Sequence, residues 1–158
     1  MPQKLLKLLI ENPRLTNTEL AKILNQTPKQ IENAIQKLQK NGDLIGFQTI
    51  VNPNKKKSVL ANIEIRLQTI RGSGFDQTAE RIAHFPEVES VTLISGNHDL
   101  NVTVRGPNLK KIAEFVHQKI ATLANVRGTT THFVLKKYKE NNLILQHPQS
   151  STRPPVSA

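Results

Sequence analysis

The stretch TNTELAKILNQTPKQIENAIQKLQKNG, residues 16–42, decides how the first part of this chain folds. It holds two segments with helical apolar spacing, and each begins with a threonine followed three residues later by glutamate or glutamine. In such a capping box the hydroxyl and the later side chain each satisfy a backbone N–H at the helix start. The stretch therefore predicts two helices, separated by a turn at Asn25-Gln26.

The residues on either side complete a small helical unit. A first helix is predicted over residues 3–11, where five large apolar side chains form a broad face, and Asn12-Pro13 ends it. After Gly42, which suits a left-handed helix cap, residues 44–51 alternate weakly and predict a short hairpin, or wing. Two capped helices joined by a short turn are typical of a helix-turn-helix, although an ordinary three-helix packing unit has the same pattern.

The second helix of the pair would turn its polar side toward DNA. Glutamine and asparagine can pair bidentately with adenine, and lysine can donate to guanine or to phosphate. The candidate DNA-binding residues are Lys29, Gln30, Asn33, Gln36 and Lys37. Because this helix contains no arginine, we expect modest affinity or selectivity.

Composition limits the classes of protein to consider. The 158 residues carry a formal net charge of +10, which favours polyanions such as nucleic acid, although a basic protein without such a partner has the same composition. The lack of cysteine excludes disulfides, thiolate zinc sites and a cysteine nucleophile. No signal peptide or membrane-spanning run is visible, so we expect a cytoplasmic protein without a membrane partner.

A polar stretch, NPNKKKS over residues 52–58, separates two predicted domains. Its three lysines can track a phosphate backbone or form a solvated linker. The expected organisation is a DNA-binding domain over residues 1–52, a linker over 53–58, a second domain over 59–140 and a tail over 141–158, disordered from Gln146 onward.

The second domain has the pattern strand, helix, strand, strand, helix, strand. The expected strands are residues 59–67, 88–94, 99–105 and 126–138, and the expected helices are 75–84, opened by Gly72-Ser73-Gly74, and 109–123. This order is the ferredoxin-like, split β-α-β unit, with both helices on one sheet face. The predicted fold class is therefore α+β, a winged helix-turn-helix followed by a ferredoxin-like βαββαβ domain.

The open face of this sheet is predicted to carry polar residues of both charges. It can face water, or it can pair with a second copy, in which Glu64 of one subunit meets Arg66 or Arg105 of another.

The turn Ser95-Gly96-Asn97-His98-Asp99 is the candidate small-molecule site. Glycine lets a ligand approach the backbone, and Asp99 can accept from an ammonium group or can simply cap its own turn. Turn N–H groups and threonine hydroxyls would donate to a carboxylate, and a histidine can make binding depend on pH. The candidate effector-binding residues are Gly96, Asn97, His98, Asp99, Thr129 and Thr131.

Catalytic and metal motifs are missing from the sequence. The five histidines have no HExxH-like spacing, and no P-loop, GxGxxG or GxSxG motif is present. We therefore expect no catalytic residue, no metal and no cofactor. An enzyme on this fold, with His98 or His132 in a catalytic role, is a third and weaker alternative.

Five segments in this order resemble the Lrp/AsnC (leucine-responsive, feast/famine) family of regulators. They are LLKLLIENPRLTNTELAKIL (5–24), GFQTIVNP (46–53), GFDQTAERIAHFPEVESV (74–91), SGNHDLNVTVRG (95–106) and THFVLKKYK (131–139). The resemblance implies dimers through the open sheet face, often four dimers in a ring, and amino-acid effectors bound between dimers. The family's G-x-x-D signature matches Gly96 and Asp99, whereas its recognition helix usually carries several arginines that residues 29–40 lack.

The sequence is therefore interpreted as a sequence-specific DNA-binding transcriptional regulator whose DNA binding is modulated by an amino acid or related small metabolite. Its expected partners are double-stranded DNA, that effector, and further copies of itself in a homodimer or octamer. The alternative is a metabolite-binding oligomer with weak or non-specific DNA binding.

Overall fold

The computed structural model describes residues 2–55, 57–68 and 75–145. The chain divides into two compact units, Met1–Val51 and Asn52–Ala158. Lys56, the glycine-rich opening at residues 72–74 and the tail from Gln146 lie outside the described residues. Within those residues, no helix combines the length and the apolar character needed to cross a bilayer.

The N-terminal unit contains the three predicted helices, α1 (Pro2–Glu11), α2 (Asn17–Leu24) and α3 (Pro28–Lys40). Both capping boxes are formed, as predicted. At α2, the Thr16 N–H donates to Glu19 Oε2 at 2.7 Å and the Glu19 N–H donates to Thr16 Oγ1 at 3.3 Å. This backbone donor holds the pKa of Glu19 below its ordinary value.

The core of this unit is small. It consists of Leu5, Leu9, Leu20, Ala21, Ile31 and Leu38, with further apolar side chains partly buried against them. The face predicted for α1 was too broad, because Ile10 is 74% exposed. Only one stripe of so short a helix can contact the two helices that follow it.

The predicted wing is not formed. Residues 44–52 contain neither helix nor strand, and Ile45 is 98% exposed. The alternation in this stretch is weak and is interrupted by Gly46. An isolated two-stranded hairpin is only marginally stable in water unless its apolar side packs on another layer. Among the described residues, no strand pairs with residues 44–52.

The C-terminal unit has the predicted βαββαβ order. Its elements are β1 (Val59–Leu67), α4 (Phe75–Ala83), β2 (Val88–Leu93), β3 (Leu100–Gly106), α5 (Leu109–Phe115), a π-helical turn (Val116–Ile120) and β4 (Val126–Val134). The strands form an antiparallel sheet in the order β2-β3-β1-β4. The last strand ends four residues earlier than predicted, and the end of the second helix is π-helical rather than regular.

The register of β1 separates the two faces of the sheet. Ile63 lies opposite Val102 and Thr131, on the side where Ile112 and Phe115 of α5 pack into the core. The next residue, Glu64, lies opposite Asn101 and Thr130 on the open side. Because successive side chains of a strand point to opposite faces, this register decides which residues face a ligand or a partner.

Lys119 is half-buried beside two aromatic rings. Its ammonium lies 5.4 Å from the ring centroids of both Phe85 and Phe115 and 2.6 Å from Glu87 Oε1. The hydrogen bond from Lys119 lowers the pKa of Glu87. This contact connects the π-helical turn to the residue before β2.

Residues 141–145, predicted to belong to the tail, complete a small hairpin with the two residues before them. Its strands are β5 (Lys139–Glu140) and β6 (Leu143–Ile144). Asn141 and Asn142 both have positive φ, at 43° and 67°, as the type I′ turn of a two-residue hairpin requires. Asparagine tolerates this conformation better than most residues, so the Asn141-Asn142 pair is a sequence signal for this hairpin.

Part of the predicted linker is held against this hairpin. The Asn54 side chain donates to the Lys137 carbonyl at 2.8 Å and accepts from the Lys137 N–H at 3.2 Å. The Asn52 side chain donates to the Leu145 carbonyl at 3.3 Å. Asn52 and Asn54 therefore make specific contacts within the C-terminal unit.

Candidate functional site

The outward side of α3 carries the predicted DNA contacts. Pro28 and the Thr27 cap start the helix, and Ile31 and Leu38 anchor its inner side. All five predicted residues are exposed: Lys29, Gln30, Asn33, Gln36 and Lys37. A capped and anchored helix with an exposed amide-rich side has the form needed for insertion into a major groove.

Two of these five side chains already have partners. The Gln30 Oε1 accepts the Thr27 N–H at 2.9 Å, so bidentate pairing of Gln30 with adenine would break the helix cap. The Lys29 ammonium lies 3.0 Å from Glu32 Oε2. Within the described part of the chain, Asn33, Gln36 and Lys37 make no side-chain hydrogen bond or ion pair, which leaves them available for base edges and phosphates.

The turn at residues 95–99 is tied to β1 by three hydrogen bonds. The Asp99 Oδ2 accepts the Leu67 N–H at 2.7 Å, and the Asp99 N–H donates to the Ile65 carbonyl at 2.9 Å. The Arg66 Nε donates to the Asn97 carbonyl at 3.0 Å. The half-buried Asp99 carboxylate therefore holds the turn where the register of β1 and β4 shifts, which favours its structural role over direct contact with an ammonium group.

The backbone of the turn depends on its glycine. Gly96 has φ +136°, which L-residues rarely adopt, and a Cβ added there would meet nothing within 4 Å. A bulky residue at this position would strain the backbone as well as fill space. A loss of ligand binding in such a variant would therefore not show that the new side chain blocks the ligand.

His98 joins the turn to the open face of the sheet. Its Nδ1 lies 3.2 Å from Glu64 Oε2, and its Nε2 lies 3.5 Å from Thr130 Oγ1. The Nε2 of His132 lies 3.5 Å from the same Glu64 oxygen. Glu64 thus lies between two imidazoles. The spacing of these residues in the sequence did not predict this cluster, because they come from β1, the turn and β4.

A cavity of about 470 Å³ opens beside this cluster. Its lining residues are Arg66, His98, Arg127, Gly128, Thr129 and Thr130. Of the predicted site residues, His98 and Thr129 line it, and Gly96, Asn97 and Asp99 belong to the adjoining turn. Arg127, Gly128 and Thr130 were not predicted from the sequence, and Arg66 was predicted at a subunit contact instead.

Thr131 is not among the described residues that line this cavity, and its role in effector binding stays a prediction. Thr131 lies opposite Ile63, on the helix-covered side, whereas Thr130 lies opposite Glu64 on the open side. Because successive side chains of a strand point to opposite faces, Thr129, which lies opposite Ile65, is on the same side as Thr131. Which of the three threonines faces the turn depends on the pairing of β4 with β1.

The charged residues of the open face have partners within the chain. Glu64 contacts two histidines, Arg66 contacts the turn, and the Arg105 guanidinium contacts the Glu89 carboxylate and the Ser58 hydroxyl. The predicted pairing of Glu64 with an arginine of another subunit is therefore not needed to satisfy these charges.

A second groove, of about 540 Å³, lies where β1 begins and β4 ends. Its lining includes Leu60, Leu109, Phe133, Val134 and Leu135, and Leu135 is 97% exposed. Exposed apolar side chains gathered in one region are typical of a contact surface.

Helix-turn-helix geometry and a cavity in a separate α+β unit together define a transcriptional regulator with a ligand-binding domain. A winged helix-turn-helix DNA-binding model matches residues 2–42, and the Lrp/AsnC ligand binding domain matches residues 60–144. The chain belongs to the Lrp/AsnC family of helix-turn-helix transcriptional regulators. The family resemblance and the α+β fold class predicted from the sequence are confirmed.

Individual relatives agree with this assignment. The chain is 38% identical over 157 residues to the uncharacterized HTH-type transcriptional regulator YugG of Bacillus subtilis, covering 98% of this chain and 95% of that protein. The Mycobacterium tuberculosis leucine response regulatory protein LrpA has the same fold, with TM-score 0.78, 23% identity and coverage of 92% and 97%. The Neisseria meningitidis transcriptional regulator NMB0573, solved as a complex with L-Met, gives TM-score 0.68, 22% identity and coverage of 88% and 90%.

Proposed function

We propose that α3 of this regulator enters the major groove of double-stranded DNA and that a small molecule in the 470 Å³ cavity modulates this binding. The observation that carries the proposal is the exposed side of α3, where Asn33, Gln36 and Lys37 are left without partners in the described structure. No catalytic role is proposed for any residue. A regulator of this kind acts where the chromosome is, so we propose a cytoplasmic location.

The effector we propose is an amino acid or a related small metabolite. The two guanidiniums that line the cavity, of Arg66 and Arg127, suit a ligand carboxylate. The Neisseria relative was solved with an amino acid, L-Met. For such a ligand to regulate DNA binding, its affinity for the DNA-bound and unbound states must differ.

A second candidate function is a metabolite-binding oligomer with weak or non-specific DNA binding. The contacts of α3 favour it, because Gln30 is used by the cap, Lys29 is paired with Glu32 and the helix contains no arginine. In that case the affinity would come from phosphate contacts of a protein with net charge +10 and would show little dependence on sequence.

Replacing Asn33 by alanine separates these two functions. If Asn33 reads a base, its loss should cost about 1–3 kcal/mol on the preferred site and relax selectivity at one base pair. The preferred site is found by selecting bound genomic fragments at fixed salt, and affinities are then measured by fluorescence anisotropy.

Gln39→Ala is the matched control for this variant, because Gln39 is also exposed on α3 but lies toward the flank of the helix. It should leave selectivity unchanged. Equal affinity of wild-type protein and Asn33→Ala for preferred and scrambled DNA would instead support the non-specific function.

We also propose that the protein forms at least a homodimer and that dimers assemble further, to an octamer. Support comes from the large apolar side chains exposed on the C-terminal unit, including Leu93, Leu135 and Ile144. Multi-angle light scattering of the full chain at tens of micromolar should give a mass of two or more chains. A monodisperse monomer under those conditions would exclude the proposed assembly.

A further inference from the structure

We infer that the cavity beside His98 selects a small dicarboxylate and does not require an ammonium group on the ligand. This inference rests on the proposed function of that cavity as the effector site.

The lining is basic. Two arginines, one histidine, two threonines and one glycine line the cavity, and among these described residues none is acidic. A neutral amino acid presents one carboxylate and one ammonium, so its ammonium would meet like charge here. A ligand with two carboxylates would match the charge of the two guanidiniums, of Arg66 and Arg127.

The nearest carboxylates have other partners. Asp99 accepts the Leu67 N–H at 2.7 Å, and its half-buried side chain fastens the turn. Glu64 Oε2 lies within 3.5 Å of both His98 and His132. An ammonium group in the cavity would have to compete with one of these contacts to find a carboxylate.

Both arginines are positioned by a contact of their Nε. The Arg66 Nε donates to the Asn97 carbonyl at 3.0 Å, and the Arg127 Nε donates to the Gln68 side-chain oxygen at 3.1 Å. Among the described residues, neither guanidinium uses its terminal nitrogens in a hydrogen bond. Two terminal N–H groups held in one plane can take the two oxygens of a carboxylate side by side.

The size of the cavity agrees with a short diacid. A volume of about 470 Å³ lies within the range of small-molecule sites. Gly128 adds no side chain to the wall, and a Cβ built there would meet nothing within 4 Å. The space beside this glycine is therefore open, and a side chain there would reduce it without disturbing the strand.

Calorimetric titration of the full chain at fixed salt tests the inference with five probes: glutarate, 2-oxoglutarate, glutamate, glutamine and leucine. Glutarate and 2-oxoglutarate should bind at least as tightly as glutamate. Glutamine, which replaces one carboxylate of glutamate by an amide, should bind at least tenfold more weakly than glutamate.

Three variants connect this binding to the cavity. Arg127→Gln should weaken the diacids at least tenfold, and Arg81→Gln, which removes the same charge from an exposed position on α4, should not. Gly128→Val should abolish binding while leaving the circular dichroism spectrum and thermal midpoint close to wild type.

Tighter binding of leucine or glutamine than of glutamate would overturn the dicarboxylate inference and leave the proposed regulator intact. So would binding that Gly128→Val removes but Arg127→Gln leaves unchanged. If the Gly128→Val variant still binds its ligand, the assignment of this cavity as the effector site fails as well. The same holds if none of the five probes binds, or if none of them changes DNA affinity.

Discussion

Replacing Ile31 by alanine should abolish DNA binding by unfolding the N-terminal unit, while the C-terminal unit stays folded. Ile31 is fully buried at the centre of the small core formed by α1, α2 and α3. Truncating a buried isoleucine to alanine costs about 2–5 kcal/mol, from lost burial and from the cavity left behind. A unit of this size has about 3–8 kcal/mol of stability in all, so the loss removes most of it.

Ile23→Ala is the control for this prediction, because it makes the same chemical change at a position on α2 that is 54% exposed. It should change stability far less and should leave α3 intact. Urea unfolding of the full chain followed by circular dichroism should show an early transition only for Ile31→Ala. Wild-type DNA affinity in Ile31→Ala would mean that the packed helical unit is not what presents the DNA contacts.

Replacing Asp99 by alanine should destabilise the turn and remove ligand binding together. The Leu67 N–H would lose its acceptor, and leaving a part-buried donor unsatisfied costs about 1–3 kcal/mol. The turn also positions Arg66 through the Asn97 carbonyl, so a loosened turn should weaken ligand binding at least tenfold. Thermal unfolding and calorimetry on the same samples measure the two effects.

Asp99→Asn distinguishes a structural aspartate from one that contacts the ligand. Its amide oxygen can still accept the Leu67 N–H, so stability and ligand binding should both stay near wild type. If Asp99→Asn is stable but no longer binds ligand, the negative charge itself is needed, and Asp99 contacts an ammonium group after all.

Local sequence patterns predicted the structure best where the residues that determine an element lie close together in the chain. The capping boxes at Thr16 and Thr27 involve residues three apart, so their hydrogen bonds form whenever the helix does. The alternation over Val59–Leu67 likewise predicted the strand and its buried side. The order of such segments then predicted the split β-α-β sheet.

The same reasoning failed where a segment needs a distant partner. Residues 44–51 have hairpin-like alternation but no ladder in the described structure. Asn141-Asn142 was overlooked although two consecutive asparagines suit a type I′ turn, because the tail around it lacks apolar periodicity. Both errors come from judging a hairpin by its strands rather than by its turn and its supporting layer.

The candidate site likewise combines a feature that is visible in the sequence with contacts that only the fold creates. The turn at residues 95–99 was visible in the sequence because a glycine and an aspartate stand at suitable spacing between two strands. Its hydrogen bonds to β1 join residues about thirty positions apart, such as Leu67 and Asp99. No local pattern encodes a contact of that kind.

By itself the sequence determined the caps of the helix-turn-helix, the order of the strands and helices, and the family to which the chain belongs, because these depend on neighbouring residues and on their order. Only the tertiary structure decided that Thr130 and not Thr131 faces His98, that Arg66 and Arg127 line one cavity, and that Asp99 holds its turn. These three features depend on strand register and on contacts between distant residues. A shift of one residue in register would exchange the two faces of β4 without altering the sequence pattern.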